Sequence, residues 1–329
     1  MSGELRDARR DFLRRSAGLG LGASLPFASL FGLAGCRTHA PRRESSVNAV
    51  GYGPLRPVAD EATGLELLRL PDGFRYRSFG WSGESMRGGV IPFAHDGMGV
   101  VGQSGSVCTL IRNHEVTTST GAIGADSLQY EALAAGGCVA FDFDLDTGMA
   151  RDFRAVLGGT LQNCAGGTTP RGTWLSCEEM TFDPATGFDD KGRQRPELHK
   201  PHGYVFEVFP DGIRAPELIR GMGLFKHEAA ATDPATGIVY LTEDGRGPSG
   251  FYRYLPLDPE RLSKGGALQM LAVKGRADLR KGVPVGARFD VHWVSIAESE
   301  RLKPDPNLQG AAVAEQGLAL GASGFARLE

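Results

Sequence analysis

Glycine and proline punctuate this chain too closely for long helices to survive, with 47 glycines and 19 prolines spread over 329 residues. Glycine weakens a helix interior through lost backbone entropy, and proline removes a donor and clashes with the preceding turn. The apolar runs left between them are short and rich in β-branched and aromatic residues, at 107–111, 139–143, 173–177, 204–208, 238–242 and 251–255. Such runs read as strands, and the only sustained helical periodicity falls in the first 35 residues. A pattern Asp-x-x-Thr-Gly recurs at 144–148, 183–187 and 233–237. Its aspartate can cap a turn while its glycine takes the left-handed conformation that closes a hairpin. Leu70-Pro71-Asp72-Gly73 and Phe209-Pro210-Asp211-Gly212 read as further tight turns. The copies recur at about the length of one propeller blade, so the expected fold class is all-β, a β-propeller, with a pair of β-sandwiches as the competing architecture.

The N-terminus obeys a different logic. Arg9 and Arg10 are followed by Asp11, Phe12 and Leu13, and residues 16–35 then run without a charge. That order marks a twin-arginine export signal over 1–35, too interrupted by glycine to be a permanent membrane span. Leu33-Ala34-Gly35 before Cys36 has the form of a lipoprotein cleavage box, which makes Cys36 the expected lipidation site. A polar tether follows over 36–60 and the folded domain is expected over 61–329. The location implied is the periplasm or cell envelope, with membrane contact only through the lipid anchor. The translocase is then a transient partner.

Acidic residues outnumber basic ones, 39 against 36, and no basic patch argues for a nucleic-acid partner. Cys108, Cys138, Cys164 and Cys177 are too sparse for a disulfide scaffold, although an oxidising compartment would permit one pair. Groups capable of holding metal stand at strand ends: Asn113-His114-Glu115, Cys164, Glu178-Glu179, His227-Glu228 and Glu243-Asp244. In a propeller the strand ends of successive blades converge, so these carboxylates would meet in space and repel one another unless cations neutralise them. Oxygen donors suit calcium and a thiolate suits a softer metal. Each pair alone reads as a solvated turn; the shared placement is what carries weight.

Ordered motifs then point to a family. Arg112-Asn113-His114-Glu115, the run Gly166-Gly167-Thr168-Thr169-Pro170-Arg171-Gly172-Thr173-Trp174-Leu175-Ser176-Cys177-Glu178-Glu179, and Lys226-His227-Glu228-Ala229 continuing to Thr242-Glu243-Asp244 resemble the PhoX-type alkaline phosphatases. Asp96-Gly97-Met98 and the terminal Phe325-Ala326-Arg327-Leu328-Glu329 fit the same resemblance. It implies a twin-arginine-exported six-bladed propeller, expected as a monomer, that hydrolyses phosphomonoesters with iron and calcium. By resemblance Cys164 is an iron ligand with Glu179 or Glu178 beside it, and Glu115, Glu228, Asp244 and Glu329 are calcium or iron ligands. Arg327 is the phosphate contact, and His114 and Asn113 touch substrate or brace Glu115. Clustered cations would draw charge from the phosphoryl oxygens while the arginine clamps them.

Two other classes fit the same residues: a calcium-dependent propeller lactonase, which needs no thiolate, and a non-catalytic module whose acidic clusters hold calcium between blades. The resemblance also implies further strands after the Phe-x-Arg-x-Glu block. An incomplete propeller is therefore expected here, as a fragment or a shortened relative, with weak activity of its own.

Overall fold

Hairpins organise the chain, and the glycines expected to close them do so. In this computed structural model, which describes residues 51–245, 247–302 and 312–328, Gly148, Gly187 and Gly237 sit at φ of 64°, 75° and 72°. Each donates its N–H to the carbonyl of the aspartate that opens its turn, at 2.8 Å in all three. Arg9, Arg10, Cys36 and Glu329 lie outside the described residues.

The chain divides into two compact units, Met1–Phe79 and Gly80–Glu329. In the described part of the first, Arg56–Ala59 pairs with Glu66–Leu70. The buried Asp60 carboxylate closes that hairpin by accepting bonds from Thr63 and Ser78.

The second unit carries three larger sheets, each an antiparallel meander whose strands neighbour one another in chain order. The first holds His95–Ser104, Val107–His114, Gly136–Asp144 and Met149–Thr160. The second holds Asn163–Thr168, Trp174–Glu178, Val205–Val208 and Glu217–Leu218. The third holds His227–Thr232, Val239–Glu243, Phe251–Pro256, Gly266–Val273 and Val291–Ser295. The fold is all-β and propeller-like, and no closed barrel is present among the described residues.

The second sheet is buried on both faces. Trp174, Phe206 and Val208 pack with Ile111, Ala140 and Leu157 of the first sheet. Leu175, Cys177 and Val205 pack with Leu241, Tyr252 and Met270 of the third. Each such large side chain withdrawn from water contributes roughly 1.5–3 kcal/mol. That two-sided burial explains why residues 173–177 and 204–208 read as continuous apolar runs rather than alternating ones.

The leading strand of each sheet lies against its counterpart in the next, His95–Ser104 on Asn163–Thr168 and Asn163–Thr168 on His227–Thr232. These contacts are nearly backbone on backbone. A Cβ added to Gly97 would stand 2.8 Å from the Cys164 carbonyl oxygen, and one added to Gly167 would overlap that of Ala230. Only glycine permits such an approach.

Two expectations need correcting. The Asp-x-x-Thr-Gly turns do not occupy equivalent places in successive sheets. The turn at 144–148 joins the last two strands of the first sheet, and that at 233–237 joins the first two of the third. The turn at 183–187 closes the small separate hairpin Phe182–Asp183 with Phe188–Asp189. A tight hairpin has the same chemical needs wherever it occurs, so the pattern marks turns rather than blades. An α-helix also stands outside the first 35 residues, where no helical periodicity was expected. Ala312–Ala319 is an α-helix whose Val313 is buried in the same apolar cluster as Met270, with Gly317 close against the Met270 side chain.

The close approach predicts that Gly167→Ala destabilises the protein by about 3 kcal/mol, through backbone displacement. Gly148→Ala, in a left-handed turn with nothing within 4 Å, should cost about 1 kcal/mol. Urea unfolding of the two variants checks the contrast.

Candidate metal centre

The same construction repeats in each of the three sheets. Just before the leading strand stand Ala94, Gln162 and Lys226, and just after the second strand stand Glu115, Glu179 and Asp244. The N–H of each acid bonds to the carbonyl of its counterpart: Glu115 to Ala94 at 2.8 Å, Glu179 to Gln162 at 2.9 Å and Asp244 to Lys226 at 3.2 Å. Ala94 and Gln162 adopt left-handed backbone, φ 53° and 49°, a strain that fixes the angle at which each leading strand starts. The second residue of each leading strand is Asp96, Cys164 or Glu228. Each sheet thus offers two ligand-type side chains at the same end.

These side chains meet. Ligand atoms of Cys164, Glu179 and Glu228 lie within 4.8 Å of one another, the one such group of three among the described residues. The Cys164 Sγ is buried, 3.6 Å from Glu228 Oε2 and 3.3 Å from the His227 carbonyl oxygen. Gln162 Nε2 donates to Glu179 Oε2 at 2.7 Å and to Glu115 Oε1 at 3.2 Å. Asp96 lies close enough to Glu115, and Glu179 to Asp244, for each pair of carboxyls to influence one another's ionisation. Arg327 grips both Asp244 oxygens, at 2.6 and 2.5 Å. Lys226 Nζ reaches Glu179 Oε1 at 3.3 Å and the Asp244 carbonyl oxygen at 2.8 Å.

The electrostatics of this cluster call for positive charge. Burial, reinforced by the charges of Glu228 and Cys177, pushes the Cys164 thiol far above its ordinary range. Burial together with Asp96 and Glu179 raises the Glu115 carboxyl. Burial pushes Asp244 upward, but Arg327, Glu179 and Lys226 together outweigh it and hold that carboxyl low. A bound cation is the agent that lets a thiolate and carboxylates share one pocket. The mixed set of one sulfur and several oxygens fits a soft site beside a hard one.

Three expected site residues do not join the cluster. Glu178 is fully buried and its oxygens are already engaged. Oε1 accepts from Leu161 N–H at 2.8 Å and lies 2.7 Å from His202 Nδ1, while Oε2 accepts from Gly203 and Tyr204 N–H at 2.8 and 3.1 Å. Successive side chains of a strand point to opposite faces, so Glu178 and Glu179 cannot both face one metal. Asn113 is buried too. Its amide donates to the Cys164 and Ala165 carbonyls at 3.1 and 2.7 Å and accepts from Trp174 and Ser176, both at 2.9 Å. It braces the strand that carries Cys164. His114 is buried with Nδ1 3.1 Å from the Phe93 carbonyl and its ring edge-on to His95. Burial and the nearby Arg112 hold it neutral, with a pKa of about 3. The four described cysteines are free thiols.

Sequence reasoning passed over Asp96, Gln162 and Lys226 as site residues. The framing of His114-Glu115, Glu178-Glu179 and Glu243-Asp244, a buried polar residue followed by a less buried or turn-borne acid, marks Glu115, Glu179 and Asp244 and carries no signal for Asp96, Gln162 or Lys226.

The fold and the cluster define an all-β, propeller-like protein with an anionic centre of mixed sulfur and oxygen donors. The family model for alkaline phosphatase PhoX matches residues 50–144 and 134–329, and the chain belongs to that family of metal-dependent phosphatases. No curated protein matches the sequence. Among the described residues no helix is long and apolar enough to cross a membrane, which says nothing of β-barrels.

Behind the centre, His202 bridges Glu178 at 2.7 Å and Glu131 at 3.0 Å, all three buried. Burial alone would lower its pKa, but the two carboxylates prevail and raise it from 6.5 to about 9. A raised folded pKa contributes stability below the unfolded value that disappears as pH rises through the folded one. Urea stability should therefore fall between about pH 6.5 and 9 in the wild type. His202→Gln should abolish that slope and cost about 3 kcal/mol at pH 6, by leaving buried carboxylates unpaired.

Proposed function

We propose that this protein hydrolyses phosphomonoesters outside the cytoplasm, using iron and calcium held by the cluster described above. The observation that carries the reading is the convergence of Cys164, Glu179 and Glu228 within 4.8 Å, in a chain of the PhoX family. Cys164, Glu179 and Glu228 would hold the softer ion. Asp96, Glu115 and Asp244 would supply oxygens to calcium. Cations seated there withdraw charge from the phosphoryl oxygens and acidify the attacking water.

The chain's own residues do the rest. Gln162 fixes the separation of Glu115 and Glu179 through its two donated bonds. Lys226 neutralises Glu179 and ties it to the backbone at Asp244. Arg327, exposed and gripping Asp244, carries the planar donors that match the equatorial oxygens of a transferring phosphoryl group. Asn113 holds the carbonyls of Cys164 and Ala165, so the sulfur cannot drift. A buried thiol among the carboxylates also favours this reading over a lactonase, whose carbonyl chemistry has no use for it.

Export by the twin-arginine route, through Arg9 and Arg10, fits a protein that takes up metal before translocation, and Cys36 would anchor the mature chain. The partners are phosphomonoester substrates and the translocase, and the protein acts as a monomer.

Cys164→Ser should lower kcat for p-nitrophenyl phosphate at least about 100-fold and reduce bound iron in parallel. It should also bleach the visible charge-transfer absorption that a ferric thiolate gives the wild type. A colourless, iron-free and fully active wild type would overturn the iron assignment. Replacing Arg9 and Arg10 together by lysine should retain the precursor in the cytoplasm on fractionation, because lysine lacks the paired planar donors.

A further inference from the structure

Between Met180 and Gly203 the chain leaves the second sheet for an excursion that the proposed chemistry does not yet use. Its tip is a heavily built turn around Asp189, a buried carboxylate. Oδ1 of Asp189 accepts the N–H of Lys191 at 3.0 Å and of Arg193 at 2.9 Å, and Oδ2 pairs with Arg193 Nε at 2.8 Å and Arg195 at 3.5 Å. Gly192 takes φ 72° and closes the turn onto the Asp189 carbonyl at 2.9 Å. An exposed residue on such a turn has a fixed backbone, so the reach of its side chain is set by the fold.

That residue is Lys191. Its Nζ lies 3.0 Å from Oε1 of Gln162, the amide whose nitrogen donates to Glu179 and Glu115. The orientation of the amide is chemically determined, since an ammonium must face the carbonyl oxygen and two carboxylates must face the NH2 group. Lys191 differs from Lys226 in an informative way. Lys226 forms a direct ion pair with Glu179, whereas Lys191 forms none with a carboxylate among the described residues. An ammonium has three donors, and the Gln162 bond uses one. Burial raises the Asp190 carboxyl, and the charges of Lys226 and Lys191 oppose that rise without cancelling it.

We propose that Lys191 is an anion-contacting residue at the rim of the centre, aimed by Gln162 and the Asp189 turn at the outer phosphate oxygens of an incoming phosphomonoester. This deepens the phosphatase reading and rests on it. Lys191 supplies attraction that substrate and transition state feel alike, so its removal raises KM and leaves kcat in place.

The test uses the full-length, metal-loaded protein and two readouts: calorimetric binding of inorganic phosphate, and steady-state hydrolysis of p-nitrophenyl phosphate. Lys191→Ala should raise the phosphate Kd and the KM about fivefold, in line with one exposed charge contact, with kcat within about twofold of wild type. Lys191→Arg should restore most of the loss, the effect should shrink as salt is added, and calcium affinity should stay unchanged. If Lys191→Ala changes calcium affinity and leaves phosphate binding alone, the lysine serves only to neutralise the carboxylates, and the proposal is overturned. Unchanged Kd and KM in a variant with wild-type circular dichroism overturn it as well, while the phosphatase reading stands. A wild type that neither binds phosphate nor hydrolyses the ester overturns both.

Discussion

The close approach of the leading strands is the constraint on which the rest depends. Gly97 lies against Ala165 and the Cys164 carbonyl, and Gly167 lies against the Ala230 carbonyl, with no side chain between the backbones. Gly97 meets Ala165 and Gly99 meets Thr168, while Cys164 meets Glu228 and Gly167 meets Ala230, so the three strands run in one direction and Asp96, Cys164 and Glu228 arrive at the same end. Cβ atoms at these glycines would push the strands apart and dissolve the cluster without touching one of its members. The packed faces of the second sheet, against Ile111 and Leu157 on one side and Tyr252 and Met270 on the other, supply the apolar burial that holds the approach in place.

Bringing so many acids together creates a charge problem, and the protein solves it in layers. Among the described residues, two of the carboxylates nearest the centre have direct cationic partners: Lys226 on Glu179 and Arg327 on Asp244. Behind them lies a second set of buried polar groups whose bonds are all internal. Glu178 ties Leu161, His202, Gly203 and Tyr204 together, and Glu243 accepts from Gly250 N–H at 2.7 Å and Tyr252 OH at 2.8 Å. Burial raises the Glu243 carboxyl to about 7, so that group is held by geometry more than by charge. The division of labour is strict at each strand end: one polar side chain turns inward to fix the backbone, and the next turns to the centre. The centre remains anionic while Glu178 and Glu243 behind it are satisfied, which suits a site that gains its positive charge from bound ions.

The strands expected at 107–111, 139–143, 173–177, 204–208, 238–242 and 251–255 each lie within or across a strand of the structure, because their residues pack well on a pleated, buried surface. His95–Ser104 and Asn163–Thr168 escaped notice for the opposite reason. They are glycine-rich, poor strand formers locally, and hold their place through neighbours rather than propensity. Asp96 and Gln162 escaped with them. Glu178 misled because adjacency in sequence to Glu179 hides the alternation that sends the two side chains to opposite faces.

From sequence alone came the all-β class, the hairpin glycines at 148, 187 and 237, the family resemblance, and a candidate ligand set of Cys164, Glu115, Glu178, Glu179, Glu228, Asp244 and Glu329. Those features are local: a turn needs its glycine, a buried strand needs its apolar run, and a metal-capable side chain is recognisable wherever it stands. Only the tertiary structure showed that Glu179 and not Glu178 lies with Cys164 and Glu228, that Asn113 and His114 bond backbone carbonyls, and that Lys191 bonds Gln162 from an excursion of the second sheet. Those outcomes turn on which backbones can approach one another and in what register, and neither is written within any short stretch of the chain.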